Sequence, residues 1–265
     1  FSHDEHQFIA SAVLVAREQL QPYRDFAYFH VPNQTYLWAL FYHFTNYYLL
    51  VARTFCAVCG WLLLVVIFAV AFQLWDGYPS RIRLGMAALS ALFLILSPIY
   101  SYTSGRAWNH DLPVLLTALA FLTHIHGLRQ PRKGFWFWFS GLLVGFAAAT
   151  RLSFAPAVLP LALILWLIPL PKPDWRTRLL WTCWFGLGVL LGAAPALYAF
   201  AQAPRAFFFG NLEYAQLNTL YREVNDYEKG MTAGSKVQFI VFNLLVYKPG
   251  NLLLFVTYLC LGLPK

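Results

Sequence analysis

The chain has 265 residues, 60% of them hydrophobic and 18% aromatic, and its 11% of charged residues is less than half the ~25% of an ordinary soluble domain. In water such a surface would expose large apolar patches and aggregate, so a soluble globular class is excluded and lipid is the expected solvent. The net charge of +8 does not mark a nucleic-acid binder, because the basic residues stand in small groups between apolar runs and not on one face.

The first stretch, FSHDEHQFIASAVLVAREQL, sets Ala12, Ala16 and Leu20 on one helical stripe with Arg17 and Gln21 off it. That pattern fits a helix lying on a membrane surface. Pro22, in QPYRDF, ends it. A second, half-buried helix is expected from about Gln34 to Tyr48, after Pro32, and its aromatics (Tyr36, Trp38, Phe41, Tyr42, Phe44, Tyr47, Tyr48) suit the membrane interface. Residues 1–48 therefore read as an extracytoplasmic first loop with interfacial helices, and 49–265 as a transmembrane bundle.

A spanning helix needs ~20 mostly apolar residues. Seven segments approach that length: 49–74, 84–100, 112–127, 135–149, 153–170, 179–201 and 237–262. Those at 135–149 and 153–170 read as a hairpin with a tight turn at Thr150-Arg151. The predicted fold class is all-α, a polytopic membrane helix bundle. The chain opens at Phe1 without Met and closes on a helix-like run, so a fragment lacking something at each end is expected.

Sidedness follows from Lys and Arg in short loops. The connections 75–83, 128–134 and 171–178 carry Arg81, Arg83, Arg129, Arg132, Lys133, Lys172, Arg176 and Arg178 against only Asp76 and Asp174. They recur at every second connection, which predicts a cytoplasmic position. Segments 1–48, 101–111, 150–152 and 202–236 then lie outside, with the other nine acids. Cys56 and Cys59 form a C-x-x-C inside an apolar run, without a second pair, and read as packing residues.

Four stretches bring polar groups to the outer side: Asp4-Glu5, the PYRDF and FHVP turns, SGRAWNHDLP at 104–113 and TRLSFAP at 150–156. Ionisable residues at the ends of spanning helices are costly unless paired or functional. The carboxylates Asp4, Glu5, Asp25 and Asp111 can take a proton from a hydroxyl; Arg24, Arg106 and Arg151, with His30 and His110, can hold a phosphate. A base beside a phosphate clamp is what transfer from a phosphorylated lipid requires. Simpler roles compete. Asp4-Glu5 suit a helix N-terminus, Arg24-Asp25 a local ion pair, Asp111 an N-cap before Pro113, and Arg151 a headgroup contact. A metal site at His124 and His126 is disfavoured, and the sequon Asn33-Gln34-Thr35 is set aside because it has meaning only in a eukaryotic secretory pathway.

HDEHQFIASAVLVAREQLQPYRDFAYFHVP resembles the first extracytoplasmic loop of the GT-C-fold glycosyltransferases. The nearest branch is the dolichyl-phosphate-mannose protein mannosyltransferase-like group, family 39 with its bacterial relatives. The shared features are the Asp-Glu pair, the PYRDF turn and a following His-x-Pro, and GRAWNHDLPVLLTALAF and TRLSFAPAVLPLAL resemble later outer segments of that group. The resemblance covers residues 3–160; where some members carry HPP, this chain has His30-Val31-Pro32. It implies an inverting transfer of a sugar from a polyprenyl-phosphate carrier to a glycan, lipid or protein acceptor. The active site would face outward from the bilayer, in a bacterial inner membrane. Asp4 would be the general base, and Glu5 would support it or bind acceptor or metal. His30 would sit near the donor phosphate. Arg24, Arg106 and Arg151 would join it as phosphate ligands, on chemistry and placement, with Asp25, His110 and Asp111 in support. Family members differ in metal use, so a divalent cation stays open. The competing functions are a transporter or lipid flippase of the envelope and a non-catalytic assembly subunit.

Overall fold

A computed structural model describes residues 3–130, 133–167, 174–225, 232–239 and 241–242, with only the backbone described at 3, 4, 223, 233 and 236. Among these residues the chain is all-helical, apart from one isolated bridge between Pro22 and Phe26. Helices α1 (His3–Glu18), α2 (Asn33–Tyr42) and the start of α3 (Tyr48–Leu74) form the first cluster. The predicted stripe on α1 exists, but Ala12 and Ala16, with Phe8, pack against Trp38 and Tyr42 of α2 and Cys56 of α3. This face meets protein where a lipid surface was expected. Arg17 completes the docking by donating to Asn46 Oδ1 at 2.7 Å and to the Thr45 carbonyl at 3.2 Å. Of the aromatics expected at the interface, Trp38 and Tyr42 are fully buried, while Phe44 and Tyr47 are exposed.

Helices α4 (Ser80–Ile95), α5 (Pro98–Thr103), α6 (Asp111–Arg129) and α7 (Lys133–Ala148) follow. A 3₁₀ segment, Leu152–Ala157, then leads into α8 (Val158–Leu167), α9 (Trp175–Gly192) and α10 (Ala194–Gln202). Six of the seven predicted spans coincide with these helices, but the count of seven is corrected. Among the described residues only α3 and α6 are each long and apolar enough to cross a membrane, and a third span exists if α9 and α10, bent by 57°, act as one. Proline interrupts two of the other predicted segments. In α4, 16 residues rise about 24 Å, less than the ~30 Å hydrocarbon core. It stops before Ser97, which Pro98 holds in an extended conformation at ψ 121°. The segment 153–170 is divided because Pro156 lies in the 3₁₀ turn. The segment 237–262 lies almost wholly outside the described residues. The tight turn at Thr150-Arg151 is where the sequence places it, between α7 and the 3₁₀ segment.

The closest packing joins α7 to α9. Gly141 and Gly145 on one helix and Gly188 and Gly192 on the other let the backbones touch: a Cβ at Gly188 would strike the Trp138 carbonyl, and one at Gly141 the Phe185 carbonyl. Asn33 holds the C-terminal ends of both helices, its amide N–H donating to Ala149 O at 3.1 Å and its Nδ2 to Gly192 O at 2.8 Å. Asn33, Gln34 and Thr35 are each about 1% exposed, so the sequon is buried. At the opposite end, Asp76 accepts from Arg129 at 2.9 Å and lies 3.3 Å from Arg83, joining two of the basic loops. Arg132 and Lys172 lie outside the described residues. Cys56 and Cys59 are buried and free.

Candidate functional site

The acidic start of α1 is built into the fold. Glu5 is 1% exposed, and Arg53 on α3 grips both its oxygens, Nε to Oε1 at 3.1 Å and Nη2 to Oε2 at 2.8 Å. The Ala107 amide adds a third donor, 2.9 Å from Oε1. Glu5 thus ties α1, α3 and the loop 104–110 together, a role its sequence context does not reveal. Asp4 lies on α1 one turn before Phe8, and its side chain is outside the described residues.

A pocket of about 310 Å³ is lined by the polar residues His30, Asn109, Arg151, Ser153, Asn211 and Asn218, with apolar neighbours such as Phe29 and Leu152. Arg151 is its cation. Its Nη1 lies 3.2 Å from Asn109 Oδ1 and 2.5 Å from His110 Nδ1, and its Nε donates to Ser153 Oγ at 3.2 Å. Burial lowers the Arg151 pKa from its ordinary value, though a guanidinium stays charged. Among the described residues no carboxylate lies within ion-pair distance of this partly buried cation. His30 packs its ring 4.8 Å from Phe8, with Nε2 3.3 Å from Gln7 Oε1. The far wall comes from a π-helical turn, Phe209–Glu213, after the short helix α11 (Pro204–Phe208), and from α12 (Tyr214–Val224). Such π turns recur at functional sites. Asn211 anchors this wall, its Nδ2 donating to the Tyr23 hydroxyl and the Phe207 carbonyl, each at 3.0 Å.

The other candidates fall elsewhere. Arg24 and Asp25 bind one another at 3.0 and 2.7 Å, and Asp25 Oδ2 accepts from the Gln21 amide at 2.8 Å. Arg24, and then the Gln21 amide, hold the Asp25 carboxyl below the usual range. The pair shapes its own turn, with Tyr23 at φ 68°, and takes no part in the Arg151 pocket. The Arg106 guanidinium rests over Tyr102 at 4.3 Å and Trp108 at 5.0 Å, so it is spent on aromatic faces. Asp111 is the first residue of α6, not its cap, and its Oδ2 accepts from the Gly105 amide at 3.0 Å. Gly105 sits at φ +78°, where a side chain would be strained. The expected clamp of three arginines is therefore reduced to Arg151 with His30 and His110. Arg53 and the asparagines 109, 211 and 218 are additions. A charge inside a predicted span was the one signal for Arg53; nothing in the local sequence marked the asparagines.

An apolar groove of about 430 Å³ is formed by Leu63, Ile67, Leu94, Val114, Phe121 and Phe154 with their neighbours on α3, α4, α6 and α8. The 3₁₀ segment joins the two spaces. Leu152 and Ser153 line the pocket, and Phe154 and Ala157 line the groove.

No protein-family model, curated protein or solved structure matches the chain. Among the described residues no group of three or more His, Cys, Asp or Glu side chains is gathered to hold a metal ion, and Glu5 already has Arg53 and Ala107 as partners.

Proposed function

We propose that the chain is a membrane glycosyltransferase that moves a sugar from a polyprenyl-phosphate carrier to an acceptor hydroxyl at the outer face, with inversion. One observation carries this reading: the Arg151 pocket and the apolar groove share the segment 152–157. An anionic headgroup on a long hydrocarbon chain needs these two environments side by side. Guanidinium matches phosphate oxygens, and the groove removes the chain's first isoprene units from water.

In this reading the acceptor oxygen attacks the anomeric carbon as the bond from that carbon to the phosphate oxygen breaks. The hydroxyl proton passes to the Asp4 carboxylate, and the departing polyprenyl phosphate keeps the bonding pair. Arg151 stabilises that growing charge, the differential effect that lowers a barrier. Residue 4 suits the base because it lies one helical turn from Phe8, which packs on the pocket residue His30. Glu5 becomes the tie that holds α1 in place. The test is transfer of labelled sugar from defined polyprenyl-phosphate donors by the full-length protein. Asp4→Asn should remove it while the protein still inserts, and undiminished transfer by that variant would overturn the assignment.

A second reading, movement of a lipid across the bilayer, has one observation in its favour. The 57° break between α9 and α10 is the kind of discontinuous span that transporters use. Movement of a lipid-linked sugar across sealed vesicles without transfer would favour it.

A further inference from the structure

The Arg151 pocket carries amide groups that phosphate binding leaves unused. At about 310 Å³ it sits at the small end of ligand pockets, ~300–1,000 Å³, with room for one headgroup and not for a polymer. Three asparagines line it, and hydrogen bonds fix what two of them offer. Asn109 is 4% exposed, and its Oδ1 accepts from Arg151 Nη1 at 3.2 Å. Among the described residues nothing accepts from its Nδ2, so the amide presents a donor. Asn211 is turned the other way. Its Nδ2 spends both hydrogens, on the Tyr23 hydroxyl and the Phe207 carbonyl at 3.0 Å each, and its Oδ1 is the acceptor that remains. Asn218, exposed on α12, has no hydrogen bond among the described residues and offers both kinds of group.

This mixture points to a class of ligand. The oxygens of an ionised phosphate or carboxylate only accept, so a fixed acceptor such as Asn211 Oδ1 opposes them. A hydroxyl donates and accepts at once, and neighbouring hydroxyls on a sugar ring suit a wall that presents both. The Tyr214 ring, stacked on Phe29 at 4.1 Å, adds an apolar face to the same pocket, the usual companion of a few placed polar groups.

We infer that Asn109, Asn211 and Asn218 bind the hydroxyls of the donor's sugar, with its phosphate on Arg151, so that the π turn and the first residues of α12 set which sugar is accepted. The inference rests on the proposal that a phosphate-linked sugar enters this pocket, and it adds the residues that hold the sugar itself.

The test uses the full-length protein in detergent and two ligands, without acceptor: a polyprenyl-phosphate hexose and the same polyprenyl phosphate without sugar. Wild type should bind the sugar-bearing ligand more tightly. Asn218→Ala removes an exposed side chain with no described hydrogen bond, and an unchanged melting temperature checks that the fold is kept. It should weaken the sugar-bearing ligand about three- to tenfold, the range for one neutral hydrogen bond, and the sugar-free ligand less than about twofold. Arg151→Gln should weaken both alike. Equal weakening of the two ligands by Asn218→Ala, or weakening of neither, overturns the inference. So does a loss confined to the acceptor's KM in the transfer assay, which would assign the asparagines to the acceptor. Discrimination between the ligands without any sugar transfer would overturn the proposed reaction and leave the sugar subsite standing.

Discussion

Glu5 and Arg53, 48 positions apart, meet in a two-point ion pair of 3.1 and 2.8 Å whose acid is buried and whose base is half exposed. The pair joins the first helix to the first long apolar one. Removing its two members should have unequal effects. Arg53→Ala leaves a buried carboxylate with one described backbone donor and should cost about 2–3 kcal/mol, below the ~3–5 kcal/mol of fully buried pairs because the guanidinium is partly in solvent. Glu5→Gln removes the charge and should cost about 1 kcal/mol. Thermal unfolding in detergent measures both. A melting temperature for Arg53→Ala equal to wild type would mean that the pair holds nothing.

Arg151 and Arg106 provide a second contrast. If the pocket binds a donor phosphate and Arg151 steadies the charge that grows on it, Arg151→Gln should lower kcat/KM about 10–100-fold, with the loss mainly in kcat, as expected for one charged hydrogen-bonding group of ~1.5–3 kcal/mol. Arg106→Gln should change it less than about twofold, because that guanidinium lies on Tyr102 and Trp108. Steady-state kinetics with a defined polyprenyl-phosphate sugar decide the matter; equal effects would remove Arg151 from its assigned role.

The contact between α7 and α9 predicts opposite results at two glycines of one helix. Gly188→Ala forces a Cβ into the Trp138 carbonyl and should destabilise by roughly 1–3 kcal/mol or more. At Gly186 a Cβ meets nothing within 4 Å, so Gly186→Ala should be neutral or stabilise the helix by up to about 1 kcal/mol. Denaturation midpoints of the two variants test the packing directly.

The Arg24-Asp25 turn should respond to acid. The folded carboxyl titrates below its unfolded value, so its contribution is present above the unfolded pKa of ~3.9 and is lost as the pH falls through the folded one. Protection of the Gln21 amide, whose N–H is held by Asp25 Oδ2, should be flat through neutral pH and drop only below about pH 4. Hydrogen exchange reads this, and Asp25→Asn should show neither the plateau nor the drop. A wild-type loss centred near neutrality would assign the protection to another group.

Much was legible in the linear chain because it depends on neighbours in sequence. Apolar runs, prolines and basic loops located six helices, the turn at Thr150-Arg151 and the ends at which charge collects. The membrane count was not, because it depends on where Pro98 and Pro156 interrupt helices that composition alone runs together. Residue types likewise marked four stretches as a meeting place; His30 and Arg151, from two of them, line one pocket, while Glu5 meets the Ala107 amide.

Which of those groups is free for chemistry was decided only in three dimensions. An acid beside Asp4 and an arginine beside Ala107 look equally available in the sequence. Glu5 is occupied because α3 brings Arg53 to it and the loop brings the Ala107 amide, and Arg106 is occupied because Tyr102 and Trp108 lie beneath it. Arg151 faces a pocket, and its described partners are Asn109, His110 and Ser153, with no carboxylate among them. Helix formation is a property of near neighbours, whereas satisfying a charge depends on packing that brings together residues far apart in the chain.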